Sequence, residues 1–187
     1  MSSAMNFELL HRSELELIRF IHEFRSPFLD SFIKLFDYFD RQEFFFILIP
    51  IIWLGSGWKT LIKLIFILLI SGLINYNLKV FFSLPRPFHI DPSLGIIQVK
   101  GYGFPSGAAQ SVILLSGILL GWKNNFWTGC LAVLYIVSVS FSRIYLGIHF
   151  PSDILAGWLI GVLLWLMYAY GMPFIESKLH RLFDQKN

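Results

Sequence analysis

Four stretches of this chain carry almost no charge over lengths that suit a lipid bilayer: Leu61 to Phe82, Ser106 to Trp122, Phe126 to Phe141 and Ile154 to Tyr170. A helix rises 1.5 Å per residue, so about 20 mostly apolar residues cross a hydrocarbon layer about 30 Å thick. Lys63 and Lys79 are the only charges in the first stretch, near its two ends. A fifth candidate, Phe44 to Trp58, contains Pro50 and borrows residues before it to reach full length. Composition agrees, with 56% apolar and 14% charged residues, against roughly 25% charge in soluble domains. The pattern predicts an all-α fold, a polytopic membrane helical bundle of about five spanning helices, with the lipid bilayer as its solvent.

The first 40 residues differ. Arg19, His22, Glu23, Arg25, Asp30, Lys34 and Asp37 interrupt Leu15, Ile18, Phe20, Ile21, Phe28, Leu29, Phe32 and Phe36, a charge density that does not cross a bilayer. Apolar residues three and four apart predict an amphipathic helix, broken at Ser26-Pro27, that lies in the interface or packs on the bundle. No basic stretch leads into a short apolar core with a cleavage site, so no cleavable signal is expected. The expected organisation is an interfacial segment over 1–42, a membrane domain over 43–172 and a cytoplasmic tail over 173–187. A formal charge of +3, scattered along the chain, excludes a nucleic-acid stripe. The single cysteine, Cys130, forms no intrachain disulfide and reads as a packing residue.

Five crossings put the loops at 83–104 and 142–151 on one face with the N-terminal segment. The turns at 57–60 and 122–126 and the C-terminus lie on the other. Lys59, Lys63, Lys123, Lys178, Arg181 and Lys186 are six basic residues on the second face against nine on the first, so the positive-inside rule does not decide the orientation.

On the first face, polar residues gather in three clusters. Lys79 ends a span, and Arg86 follows seven positions later between Pro85 and Pro87, which stiffen the backbone around it. Gly103-Phe-Pro-Ser-Gly-Ala108 precedes the next span. With Pro105 at the first helical position, the amides of Ser106 and Gly107 are expected to point outward as an anion site. The third cluster runs from Ser142-Arg143 to His149 and Asp153, with Pro151 starting a helix. Asp153 is placed to accept a hydrogen bond from one ring nitrogen of His149, leaving the other with an exposed lone pair. Lys79, Arg86 and Arg143 arriving at one membrane depth call for an anion.

Together the clusters resemble the signature of the type 2 phosphatidic acid phosphatase (PAP2) superfamily, integral-membrane lipid phosphatases related to vanadium haloperoxidases: Lys-x6-Arg-Pro, Pro-Ser-Gly-His and Ser-Arg-x5-His-x3-Asp. Lys79, Arg86 and Pro87 match the first element, and Ser142, Arg143, His149 and Asp153 match the third at full spacing. The resemblance implies that Lys79, Arg86 and Arg143, with Ser106 and the Gly107 amide, hold a phosphate. It further implies that His149 attacks phosphorus to give a phosphohistidine, oriented by Asp153, on the extracytoplasmic side of a plasma membrane, with no metal and no cofactor. The expected partner is a membrane lipid substrate.

One position departs from the signature. Ala108 stands where the family has the His that protonates the leaving oxygen. Loss of a general acid costs about 10²- to 10⁴-fold. Three accounts follow: an inactivated enzyme, an enzyme for a diphosphate whose leaving phosphate needs little protonation, or a proton from His89. The expected function is a lipid phosphate or diphosphate phosphatase, with polyprenyl (undecaprenyl) diphosphate first among candidates. The alternatives are a catalytically silent binder of phosphorylated lipid and a lipid phosphotransferase.

Overall fold

The computed structural model describes residues 2–174 and Lys178, so most of the tail expected over 173–187 lies outside the described residues, as do the basic residues Arg181 and Lys186. The described residues form seven α-helices with short 3-10 turns and no strand: α1 (Ser2–His22), α2 (Pro27–Leu35), α3 (Gln42–Phe82), α4 (Pro87–Ile90), α5 (Gly107–Trp122), α6 (Phe126–Tyr145) and α7 (Pro151–Leu166). Three apolar segments among them are long enough to cross a membrane: Phe44–Ile90, Phe126–Tyr145 and Pro151–Phe174.

The expected pair of spans before residue 83 is one continuous helical assignment that folds back on itself. Gly57 has φ 79° and ψ 167°, non-helical values inside α3 that glycine adopts without the Cβ penalty. Ile52 in the first arm packs with Leu64 and Ile67 in the second, so the arms lie side by side as a hairpin. The five expected crossings are therefore these two arms, α5, α6 and α7. At 16 residues, α5 is only about 24 Å long. It is also the most enclosed, with Leu114 and Ile118 buried against the α3 arms and Leu164 of α7.

Glycines four apart let α7 approach α5 closely. A Cβ on Gly157 would lie 2.5 Å from the Ser106 carbonyl oxygen, and one on Gly161 2.6 Å from that of Gln110. Small residues at this spacing suit helix pairing in lipid, where close van der Waals contact replaces the hydrophobic effect. The outward surface is apolar, including Phe66, Leu69, Leu131, Leu134, Leu155 and Leu159. Cys130 corrects its sequence reading: it is exposed on this perimeter, because α6 turns that position away from α5.

The N-terminal segment has the predicted break. Ser26 caps α2, its hydroxyl accepting the Leu29 amide at 3.2 Å, and Pro27 follows at the first helical position. One face docks on the bundle: Leu15 and Ile18 pack with Leu94 and Phe150, and Ile33 packs with Tyr145, Leu146 and Ile148. The other face leaves Phe20, Phe24, Phe28 and Phe32 exposed; of the two expected settings, the structure shows the packed one. Glu14 ties α1 to α7 by accepting the Ser152 amide at 2.7 Å and its hydroxyl at 3.0 Å. A carboxylate there complements the positive end of α7, although burial raises its pKa.

The loop between α6 and α7 turns on Gly147, whose φ is +69°. A Cβ there would collide with the Leu94 carbonyl oxygen, backbone that has no rotamer to yield. Gly147→Ala is therefore expected to cost about 3 kcal/mol or more. Gly129→Ala on α6, with nothing within 4 Å of the added carbon, should be neutral or slightly stabilising. Thermal unfolding of both variants in detergent measures the difference.

Candidate active site

Pro151 begins α7 one residue after the cap Phe150, as its fixed φ favours, and puts Asp153 in the first turn. Asp153 accepts the Phe150 amide at 2.9 Å and faces His149 Nδ1 at 3.1 Å through the same oxygen, Oδ2. Its backbone carbonyl accepts the Ser106 amide at 3.0 Å, which joins α7 to the start of α5. Asp153 and His149 are both buried. A carboxylate at Nδ1 makes that nitrogen the N–H donor and leaves Nε2 as the acceptor. Nε2 lies 3.2 Å from Arg86 Nη1, an obligatory donor, which fixes the same tautomer from the other side. The His149 pKa is lowered to about 4: burial pushes it down, Asp153 pulls it upward, and the Arg86 and Lys79 charges add to the lowering. The imidazole is neutral at pH 7.

Arg86 caps the short α4 and reaches inward. Its Nε donates to Gly101 O at 2.9 Å and its Nη1 to Ile148 O at 2.9 Å. Lys79 donates to Tyr102 O at 2.9 Å and Gly103 O at 3.0 Å, so it is fixed by the 83–104 loop. Carbonyls thus orient both cations without cancelling their charge.

Lys79, Arg86, Arg143 and His149 meet at one cavity of about 440 Å³. Gly107, the first residue of α5, also lines it, and its N–H is among those an α-helix leaves without an intrahelical acceptor. Two expectations at this helix start need correction. The helix begins at Gly107 with Ser106 as its cap, so Pro105 precedes the cap. The Ser106 amide is not free for an anion, because Asp153 O takes it. Ser106 is fully buried, and its hydroxyl accepts the Ala109 amide at 3.4 Å. Ala108 is buried with Val112 and Val139, presenting a methyl where the signature has an imidazole. His89 is exposed, and its Nδ1 accepts the Arg86 amide at 3.2 Å.

Three polar residues of the cavity wall were not singled out in the sequence: Asp37, Arg41 and Asn75. Asp37, in the 3-10 turn Phe36–Asp40, accepts from Arg143 Nη1 at 2.7 Å through Oδ1. Arg41 donates to the other oxygen, Oδ2, from Nε at 2.9 Å and Nη2 at 2.8 Å. Asn75 stands one turn before Lys79, a spacing that could have flagged it. Its amide nitrogen donates to Gln110 Oε1 at 3.1 Å, and Gln110 in turn donates to the Ser71 hydroxyl at 2.6 Å. Asn75 and Gly107 also line a second cavity of about 360 Å³, walled mostly by apolar side chains of the α3 arms. A polar chamber therefore adjoins an apolar one across these two residues.

Residues 60–176 match the sequence profile of the PAP2 superfamily. The chain is 35% identical over 78 residues, 41% of its length, to an undecaprenyl-diphosphatase of Sulfolobus acidocaldarius, of which the match covers 37%. It is 28% identical over 187 aligned positions to a probable sphingosine-1-phosphate phosphatase of Dictyostelium discoideum, with 89% of this chain and 45% of that protein covered. The chain thus spans less than half the length of either relative. Among solved structures, that of Aquifex aeolicus LpxE superposes with a TM-score of 0.74 at 27% identity, covering 83% of this chain and 93% of that one.

Proposed function

The chain belongs to the PAP2 superfamily and is an integral membrane protein; from that premise we propose that it is a lipid phosphatase working through a phosphohistidine at His149. The observation that carries this reading is the neutral imidazole with Asp153 on Nδ1 and its Nε2 lone pair in a cavity lined by Lys79, Arg86 and Arg143. Nε2 attacks phosphorus as the P–O bond to the leaving group breaks. Asp153 stabilises the charge that develops on the ring. The three cations and the Gly107 amide neutralise the equatorial oxygens, a preorganised field of the kind that dominates phosphoryl transfer. Water then cleaves the N–P bond and regenerates the imidazole. The apolar chamber between the α3 arms accommodates the lipid chain, and the chemistry faces the extracytoplasmic side.

Ala108 selects among substrates. An alkoxide leaves poorly without an acid, whereas a leaving phosphate, with a second pKa near 6, departs without one. Polyprenyl diphosphate is accordingly the substrate class that fits this chain. The test is phosphate release from a polyprenyl diphosphate and from a phosphatidic acid. Turnover of the diphosphate at least about tenfold faster is expected, and the opposite preference overturns the choice. Ala108 also favours a second reading, a silent binder of phosphorylated lipid. It predicts vanadate binding with no phosphate release from either lipid.

A further inference from the structure

We infer that Asn75 is a further catalytic residue: its side-chain oxygen, Oδ1, orients the water that cleaves the phosphohistidine. The inference rests on the phosphohistidine reading and adds the residue that serves its second step. Asn75 is 9% exposed and lines both the polar cavity that holds His149 and the apolar chamber between the α3 arms. The direction of its amide is fixed by neighbours that can act in one sense only. Gln110 donates from Nε2 to the Ser71 carbonyl oxygen at 2.9 Å and to the Ser71 hydroxyl at 2.6 Å, which turns Gln110 Oε1 toward Asn75. Asn75 Nδ2 donates to that oxygen at 3.1 Å and to the Pro105 carbonyl oxygen at 3.3 Å. Two backbone carbonyls, obligatory acceptors, thus anchor the chain of amides at its ends. Both donors of the Asn75 side chain are committed, and among the described residues its side-chain bonds are these two. Oδ1 is left as an acceptor beside Gly107, 3.1 Å from where a Cβ on that residue would stand, so the glycine keeps it uncovered.

An acceptor at this threshold suits a water better than a phosphate, whose ionised oxygens are themselves acceptors. In-line displacement fixes where that water must stand. His149 Nε2 attacks phosphorus from one side, and the leaving oxygen departs on the opposite side, together with the lipid. With the lipid chain in the apolar chamber, that side is the boundary formed by Asn75 and Gly107. The water of the second step enters the position that the leaving oxygen has vacated. It donates one hydrogen bond to Asn75 Oδ1, which aims a lone pair at phosphorus. As the new O–P bond forms, the N–P bond breaks and its electron pair returns to Nε2. The attacking oxygen keeps one proton and passes the other to a phosphoryl oxygen, so dihydrogen phosphate leaves and no protein base is required. An amide that only orients the water therefore suffices where position 108 supplies a methyl.

Transient kinetics with farnesyl diphosphate, labelled in its terminal phosphate, test this role. There kcat/KM reports formation of the phosphohistidine, whereas kcat includes its breakdown. Asn75→Ala is expected to lower kcat by about 10²-fold, the cost of a misplaced reactant, while kcat/KM stays within about threefold. Label trapped on His149 at steady state should rise accordingly. Loosened packing alone would not split the two constants in this way. A fall in kcat/KM equal to that in kcat with no trapped label, or an unchanged kcat in the folded variant, overturns the inference. If Asn75→Ala is not recovered folded, Asn75→Ser keeps a hydroxyl to meet Gln110 and withdraws the oxygen from the threshold, and the same split is expected. Labelling of the unmodified chain is scored separately. If it shows neither label nor released phosphate, the phosphohistidine reading falls and the inference with it. A labelled unmodified chain beside an unsplit variant removes the role of Asn75 alone.

Discussion

His149→Ala is expected to lower phosphate release by on the order of 10⁴- to 10⁶-fold, as loss of a nucleophile or its activating partner does elsewhere, while vanadate and lipid phosphate still bind through Lys79, Arg86 and Arg143. The selectivity follows from geometry. Lys79 and Arg86 are held by carbonyls of residues 101, 102, 103 and 148 and Arg143 by Asp37 and the Phe36 carbonyl, bonds that persist when the imidazole contact of Arg86 is lost. Quenching a single turnover in base and probing for an N–P bond distinguishes covalent from direct hydrolysis: label retained on the unmodified chain and absent from His149→Ala is the expected result. The pH dependence has a definite sign. Because the folded-state pKa of His149 is lowered to about 4 from an ordinary 6.5, the neutral nucleophile persists through mildly acidic pH and is lost only toward 4. Histidine ¹⁵N titration of the empty protein reads this directly, free of the substrate's own ionisation near 6. A midpoint at 6.5 would contradict a desolvated ring.

The second large effect is a gain. Ala108→His should raise hydrolysis of a phosphatidic acid by about 10²- to 10⁴-fold, the usual worth of a positioned general acid, and should change diphosphate hydrolysis by less than about tenfold. The asymmetry is the informative quantity, since it reports how much protonation each leaving group needs. Position 108 follows cavity-lining Gly107 directly, so an imidazole there is within one residue of the site. The ring must find room where the methyl now packs on Val112 and Val139. A thermal-stability measurement beside the kinetics separates an unwelcome fit from an absent effect. Unchanged phosphatidic acid hydrolysis in a folded Ala108→His protein would mean that this residue does not set the substrate preference.

Much of this site could be read before the fold was known, because its parts are local. Lys79 and Arg86 are separated by one helix end and a proline-stiffened turn, and His149 and Asp153 by the first turn of a helix that Pro151 starts, so short-range stereochemistry carries the spacing into space. The spans were legible for the same reason, including the turn expected at 57–60, where Gly57 breaks α3. Asp37, Arg41 and Glu14 were opaque. Each lies on a charged segment where such residues are usually solvated; Asp37 and Glu14 meet Arg143 and Ser152 more than 100 positions away, and Arg41 reaches the site through Asp37, four residues before it. Only the docking of Ile18 and Ile33 onto the bundle brings them near. The Ser106 amide failed differently: a helix start normally leaves that donor open, but the close approach that Gly157 allows brought an acceptor to it.

The contact between Arg86 Nη1 and His149 Nε2, at 3.2 Å, restrains the imidazole. While that nitrogen accepts a hydrogen bond from the guanidinium, its electron pair is occupied and it is a poor match for an uncharged electrophile drifting in from the bilayer. In the proposed reaction, an arriving anion competes for the guanidinium and releases the electron pair that attacks phosphorus. Charge on the incoming lipid thus serves as the key that arms the reagent, and neutral esters of similar shape should leave the ring untouched.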